Sequence, residues 1–95
     1  MRGGWVYMVT NRPFGVIYIG VTNDLARRAW EHRYRLHPGF TQRYHLVRLI
    51  FAERHEEIAV AIQRETSIKR WPRAWKLDLI ATQNPDWEDL YDRIM

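Results

Sequence analysis

The chain has 95 residues and no cysteine, so it makes a single domain, 1–95, with no disulfide or thiolate zinc site and a composition suited to a reducing cytoplasm. Its formal net charge of +4 is unevenly spread: residues 1–76 carry fourteen Lys/Arg against six Asp/Glu, whereas residues 77–95 carry one Arg against five acids. A basic body points to a polyanion partner, and with no apolar run near the ~20 residues of a membrane helix and no signal-peptide pattern, a soluble, non-secreted protein is expected.

Trp5 to Thr10 alternates bulky and β-branched residues and reads as a strand. Asn11-Arg12-Pro13-Phe14-Gly15 carries turn chemistry, and Val16 to Gly20 reads as a second strand, so the chain opens on a β-hairpin. Pairing Thr10 with Gly15 places Tyr7 directly opposite Tyr18, which brings two phenols together on one face. An ordinary aromatic cross-strand pair would have the same look.

Asn23 or Asp24 can cap a helix from Leu25 to about Tyr34. Its stripe Leu25, Arg28, Ala29, His32 and Leu36 carries a cation and an imidazole where a packing helix carries apolar residues. His37-Pro38-Gly39 breaks this helix, and a loop continues to Tyr44. His45 to Glu53 is largely apolar and reads as a third, well-buried strand. Glu56 to Arg70 contains no Gly or Pro and reads as a long helix, with Ile58, Ala61, Ile62, Glu65, Ile68 and Lys69 on its inner stripe. A carboxylate in that stripe must be neutralised, ion-paired or bound to a metal. Arg28 and Lys69 are the candidate ion-pair partners.

Pro72 stops this helix, and a shorter one is expected from Arg73 to Thr82. Lys69, Arg70, Arg73 and Lys76, interleaved with Trp71 and Trp75, make a basic aromatic cluster that can grip phosphates and stack on bases, although Trp residues more often pack in cores. Asn84-Pro85-Asp86 is a turn leading into a last helical turn or two over Trp87 to Tyr91. The acidic end, with Asp86, Glu88, Asp89 and Asp92, could face a basic protein partner. The order β-β-α-β-α-α predicts an α/β domain: a small three-stranded antiparallel sheet flanked by helices.

Tyr7 and Tyr18 on two short strands, Gly20 closing the second, Arg28 and His32 on the next helix and Glu65 on a later one together resemble the GIY-YIG nuclease domain. Glu65 to Trp71, with Lys76 following, and Phe40-Thr41 and Arg43-Tyr44 resemble a small stand-alone bacterial group of uncharacterised endonucleases within it. In two respects the chain departs from the pattern: Trp5 replaces the leading glycine of the first motif, and Val21 stands where some members have a lysine.

The resemblance implies metal-dependent hydrolysis of phosphodiester bonds in nucleic acid, with DNA the favoured substrate. It implies Tyr7, Tyr18, Arg28, His32 and Glu65 as catalytic residues and Glu65 as the ligand of one Mg²⁺ or Mn²⁺. Gly20, Arg27, Lys69, Arg70, Arg73, Lys76 and Asn84 are expected to contact nucleic acid. All five catalytic residues are expected on one concave surface. The alternatives are a non-cleaving nucleic-acid-binding module and a protein-interaction domain on the same fold.

Overall fold

The computed structural model describes residues 3–34 and 45–94. Leu36, the His37-Pro38-Gly39 break, and the Phe40-Thr41 and Arg43-Tyr44 pairs lie outside the described residues. The described elements are β1 (Gly4–Thr10), β2 (Ile17–Thr22), α1 (Leu25–Arg33), β3 (Arg48–His55), α2 (Ile58–Lys69), α3 (Arg73–Gln83) and α4 (Tyr91–Ile94). The three strands form one antiparallel sheet in the order β2-β1-β3, the expected α/β architecture.

Alternation of side chains splits the core between the two sheet faces. On one face Val6, Met8 and Ile19 pack with Ala61 and Ile68 of α2 and Ile80 of α3. On the other, Tyr7, Val9 and Leu49 pack with Leu25 and Ala29 of α1, with Tyr18 alongside. Ile62 does not join the inner stripe of α2; it is an exposed residue, and Lys69 is half exposed. Glu53 of β3 ties α2 to the sheet by accepting two hydrogen bonds from the Arg64 guanidinium, at 3.0 and 3.1 Å.

The hairpin register differs from the expected one. Thr10 pairs with Ile17, so Tyr7 lies opposite Gly20, and Tyr18 lies opposite Val9. The turn is longer because the Asn11 side chain accepts the Val16 amide at 3.1 Å while the Gly15 amide closes a tight turn on the Arg12 carbonyl at 2.9 Å. Phe14 takes a left-handed backbone within it, φ 58°. The shift is two residues, an even number, so both phenols keep the same face.

Between Met8 and Val9 the pairing with β3 slips by one residue, which makes Ile50 the extra residue of a β-bulge. A bulge leaves backbone groups without ladder partners, and Asn84 answers one of them: its amide donates to the Ile50 carbonyl at 3.1 Å. The outer edge of β3 is sealed by side chains. Gln83 exchanges two hydrogen bonds with the Ala52 backbone, and the Asp89 carboxylate accepts the Leu49 amide. Such cover protects an edge from pairing with other chains. On the far side, β2 is the outer strand.

The segment after α3 also departs from expectation. Trp87 is not the start of a helix but a buried residue with a left-handed backbone, φ 57°, and helix α4 begins only at Tyr91. Phe14 stacks on the Trp87 ring at 4.8 Å, and Arg48 donates to its carbonyl. The acidic end is partly engaged within the chain: Asp89 pairs with Arg33 and Glu88 with Arg93, each at 2.7 Å. No helix among the described residues is long and apolar enough to cross a membrane.

Candidate active site

Tyr7 sits in the middle strand with its ring laid over Gly20. A Cβ at position 20 would meet the Tyr7 hydroxyl at 2.5 Å and Cζ at 2.6 Å, so only glycine leaves room for the phenol. The hydroxyl hydrogen-bonds His32 Nε2 at 3.0 Å, with the direction set by the imidazole tautomer. The Tyr18 ring completes a triangle, 6.5 Å from Tyr7 and 6.0 Å from His32 between centroids. Tyr7 and His32 are buried, at 1 % and 2 % exposure, whereas Tyr18 is half-buried.

The helix that brings His32 here is fixed at its start by Asp24. The Asp24 side chain accepts the Arg27 amide at 3.1 Å, and Thr22 holds the Asp24 amide in turn. This cap sets the rotation of α1, which directs Leu25, Ala29 and His32 to the sheet. Arg28 lies at the margin of that stripe, its side chain 31 % exposed, with Glu31 at 3.2 Å. Arg27 is further out, 75 % exposed, and pairs with the same carboxylate at 3.4 Å. Thr22, Asn23, Asp24, Arg27, Arg28 and Glu31 line an open groove of about 620 Å³, which Arg28 joins to the Tyr7 phenol that its charge acts on.

Burial pushes the Tyr7 phenol up from its ordinary 10.0 to about 12, against the downward pull of the Arg28 guanidinium. In the unfolded chain the same phenol ionises first, so alkali favours unfolding. We expect the contribution of this residue to be constant below pH 10.0 and to be lost as the pH rises to about 12. The loss should approach about 3 kcal/mol. Urea unfolding from pH 9 to 12, compared with Tyr7→Phe, measures it; equal slopes for the two proteins would contradict the assignment.

Glu65 does not share the face of the other four. It lies on α2 between Ala61 and Ile68, the residues that pack against Val6, Met8 and Ile19 on the opposite side of the sheet. Its side chain is 13 % exposed and pairs with the Lys69 ammonium at 2.7 Å. The helix runs chiefly over β1 and β2, and β2 is the outer strand of the sheet on that side. Among the described residues no group of three or more His, Asp or Glu side chains gathers as a metal-ligand set.

The residues expected to contact nucleic acid fall into different environments. Arg27 and Arg70 are exposed. Lys69 is engaged by Glu65, and Lys76 approaches the Lys69 carbonyl at 3.4 Å. Arg73 donates to the Phe14 and Gly15 carbonyls at 3.0 and 2.9 Å, so it pins the hairpin turn to α3. Asn84 is a correction: it is buried, at 4 % exposure, with its amide nitrogen donating to the Ile50 and Glu88 carbonyls and its oxygen accepting the Glu88 amide. That side chain holds the bulge and the following turn. Sequence reasoning missed Glu31 and Asp24 as groove residues; the i, i+4 spacing of Arg27 and Glu31 was the available signal.

A three-stranded sheet with paired phenols, a helix arginine and a closing glycine is a nuclease-type fold. The GIY-YIG catalytic domain matches residues 3–78, and the chain belongs to that family. No curated protein and no solved structure matches it at a significant level.

Proposed function

We propose that this protein is a metal-dependent endonuclease that hydrolyses phosphodiester bonds of nucleic acid, DNA foremost. The observation that carries this reading is the joint packing of Tyr7, Tyr18, His32 and Arg28 beside an open groove in a GIY-YIG fold.

The roles follow from burial. Arg28 reaches the groove and would hold the scissile phosphate, neutralising the charge that builds on it. Tyr7, buried and pushed up to about 12, keeps its proton at neutral pH and acts as a positioning group for His32 and the Arg28 guanidinium. Tyr18 is the less buried phenol and the better placed to orient the attacking water. The two faces of the site meet if the nucleic-acid strand crosses the outer edge of β2.

Mg²⁺ is commonly held by one or two carboxylates with water completing its shell. Glu65 fits such a site: a largely buried carboxylate whose charge is already balanced by a cation, the Lys69 ammonium, which is 51 % exposed and can turn to water. Bound there, Mg²⁺ or Mn²⁺ would polarise the phosphate and stabilise the leaving oxygen. The run Glu65 to Trp71 supports a place in the small bacterial group of the family, and the absence of cysteine supports a cytoplasmic setting. A protein partner for targeting is a further part of this reading.

The test is a cleavage screen of labelled single-stranded, duplex and branched DNA and of RNA, with Mg²⁺, Mn²⁺ or EDTA. Divalent-dependent cleavage of at least one substrate is expected. Binding without cleavage under every condition would favour the non-cleaving module.

A further inference from the structure

Lys69, Arg70, Trp71, Arg73, Trp75 and Lys76 fall within eight residues that contain no acid. The two tryptophans have different fates. Trp71 is half-buried against the core, with the Arg64 guanidinium 5.2 Å over its ring. Trp75 stands out from the start of α3 with 56 % exposure, the largest of the exposed tryptophans. Its ring meets Trp71 edge-on, 6.1 Å between centroids and 70° between planes. An edge-on neighbour holds a ring in place without covering its face. Around it, the Arg70 side chain is exposed and makes no hydrogen bond or ion pair among the described residues, while Lys76 and Arg73 bond only to backbone carbonyls and keep their full charge.

A fixed aromatic face ringed by uncompensated cations matches the two parts of a nucleotide: a flat base and an anionic phosphate. Duplex DNA buries its base faces in the stack and offers such a ring only phosphates. We propose that Trp75 is a stacking platform for an unpaired nucleobase, with Arg70 and Lys76 on the neighbouring phosphates. Resting on the nuclease reading above, this makes the substrate class a nucleic acid with a single-stranded segment. The platform stands at the start of α3, directly after the helix α2 that carries Glu65 and Lys69, with Trp71 between them packed against the core on the α2 side of the sheet.

The test is binding without cleavage. A fluorescein-labelled oligothymidine and a blunt-ended, fully paired two-strand duplex are titrated with protein in EDTA and followed by anisotropy. Base–aromatic stacking sets the expected loss for Trp75→Ala on the oligothymidine at roughly tenfold. The duplex should change by less than about twofold, since only phosphate contacts serve it. Trp75→Phe keeps a flat ring and should restore most of the single-strand affinity. Arg70→Ala should weaken both probes and flatten the salt dependence by about one unit of slope. Unchanged oligothymidine binding by Trp75→Ala, or an equal loss on both probes, overturns the platform and leaves the nuclease reading standing. A wild-type protein that binds neither probe overturns the platform, and the cleavage screen decides separately whether the nuclease reading stands.

Discussion

Asn84→Ala is expected to be the most destabilising single change in the C-terminal third of the chain. Asn84 makes three hydrogen bonds from a position that is 4 % exposed, to the Ile50 carbonyl at 3.1 Å, the Glu88 carbonyl at 2.8 Å and the Glu88 amide at 3.0 Å. Ile50 is the extra residue of the β-bulge, so its carbonyl has no ladder partner to fall back on. Each buried group left without a partner costs about 1–3 kcal/mol. Against a total stability of roughly 5–15 kcal/mol for a domain, two or three such groups remove a large share. Urea denaturation should show a much lower midpoint with an unchanged slope. An Asn84→Ala protein as stable as wild type but poor at binding nucleic acid would return this residue to the role its sequence position suggested.

Arg28→Ala is expected to have the opposite profile: a large loss of activity with little loss of stability. Among the described residues its ion pair is with Glu31 on the same helix, 3.2 Å away and partly exposed, and such pairs contribute about 0–1 kcal/mol. The guanidinium is also the largest downward influence on the Tyr7 phenol, so its removal leaves that phenol still harder to ionise. If Arg28 neutralises the phosphate, its loss should slow cleavage by about 10²–10³-fold. Arg28→Lys keeps the charge but not the planar fork and should recover only part of the rate. Single-turnover cleavage and thermal melting on the same preparations separate the cases. A fall in melting temperature that accounts for the lost activity would make Arg28 a structural residue.

The sheet was legible because periodicity and turn residues report local geometry. Tyr7 and Tyr18 could be placed on one face because parity survives an error of two residues in register, and the Thr10–Ile17 pairing is such an error. The true register depends on the Asn11 side chain taking the Val16 amide, a contact that alternation does not encode. Similarly, Asn84 and Asp89 look like loop polars in sequence, yet both serve the backbone of β3, some 34 and 40 residues away in the chain. The helix stripes located Arg28, His32 and Glu65 correctly on their own helices. A stripe carries no information on which sheet face its helix covers, and α1 and α2 cover different ones. Tyr7, Tyr18 and His32 touch one another and Arg28 acts on the Tyr7 phenol, while Glu65 sits on the helix that covers the other face.

That division makes Glu65 the most direct test of the proposed mechanism. Glu65→Gln keeps the volume and removes the charge a divalent cation needs, while Lys69, half exposed, can take up water in place of its partner. The measurement is cleavage of the best substrate over a titration of Mg²⁺ and Mn²⁺, with melting temperature recorded on the same samples. The account predicts that wild type cleaves only with divalent cation and that Glu65→Gln melts close to wild type but does not cleave. A Glu65→Gln protein that cleaves at the wild-type rate would contradict it, and would leave Glu65 as the ion-pair partner of Lys69 alone.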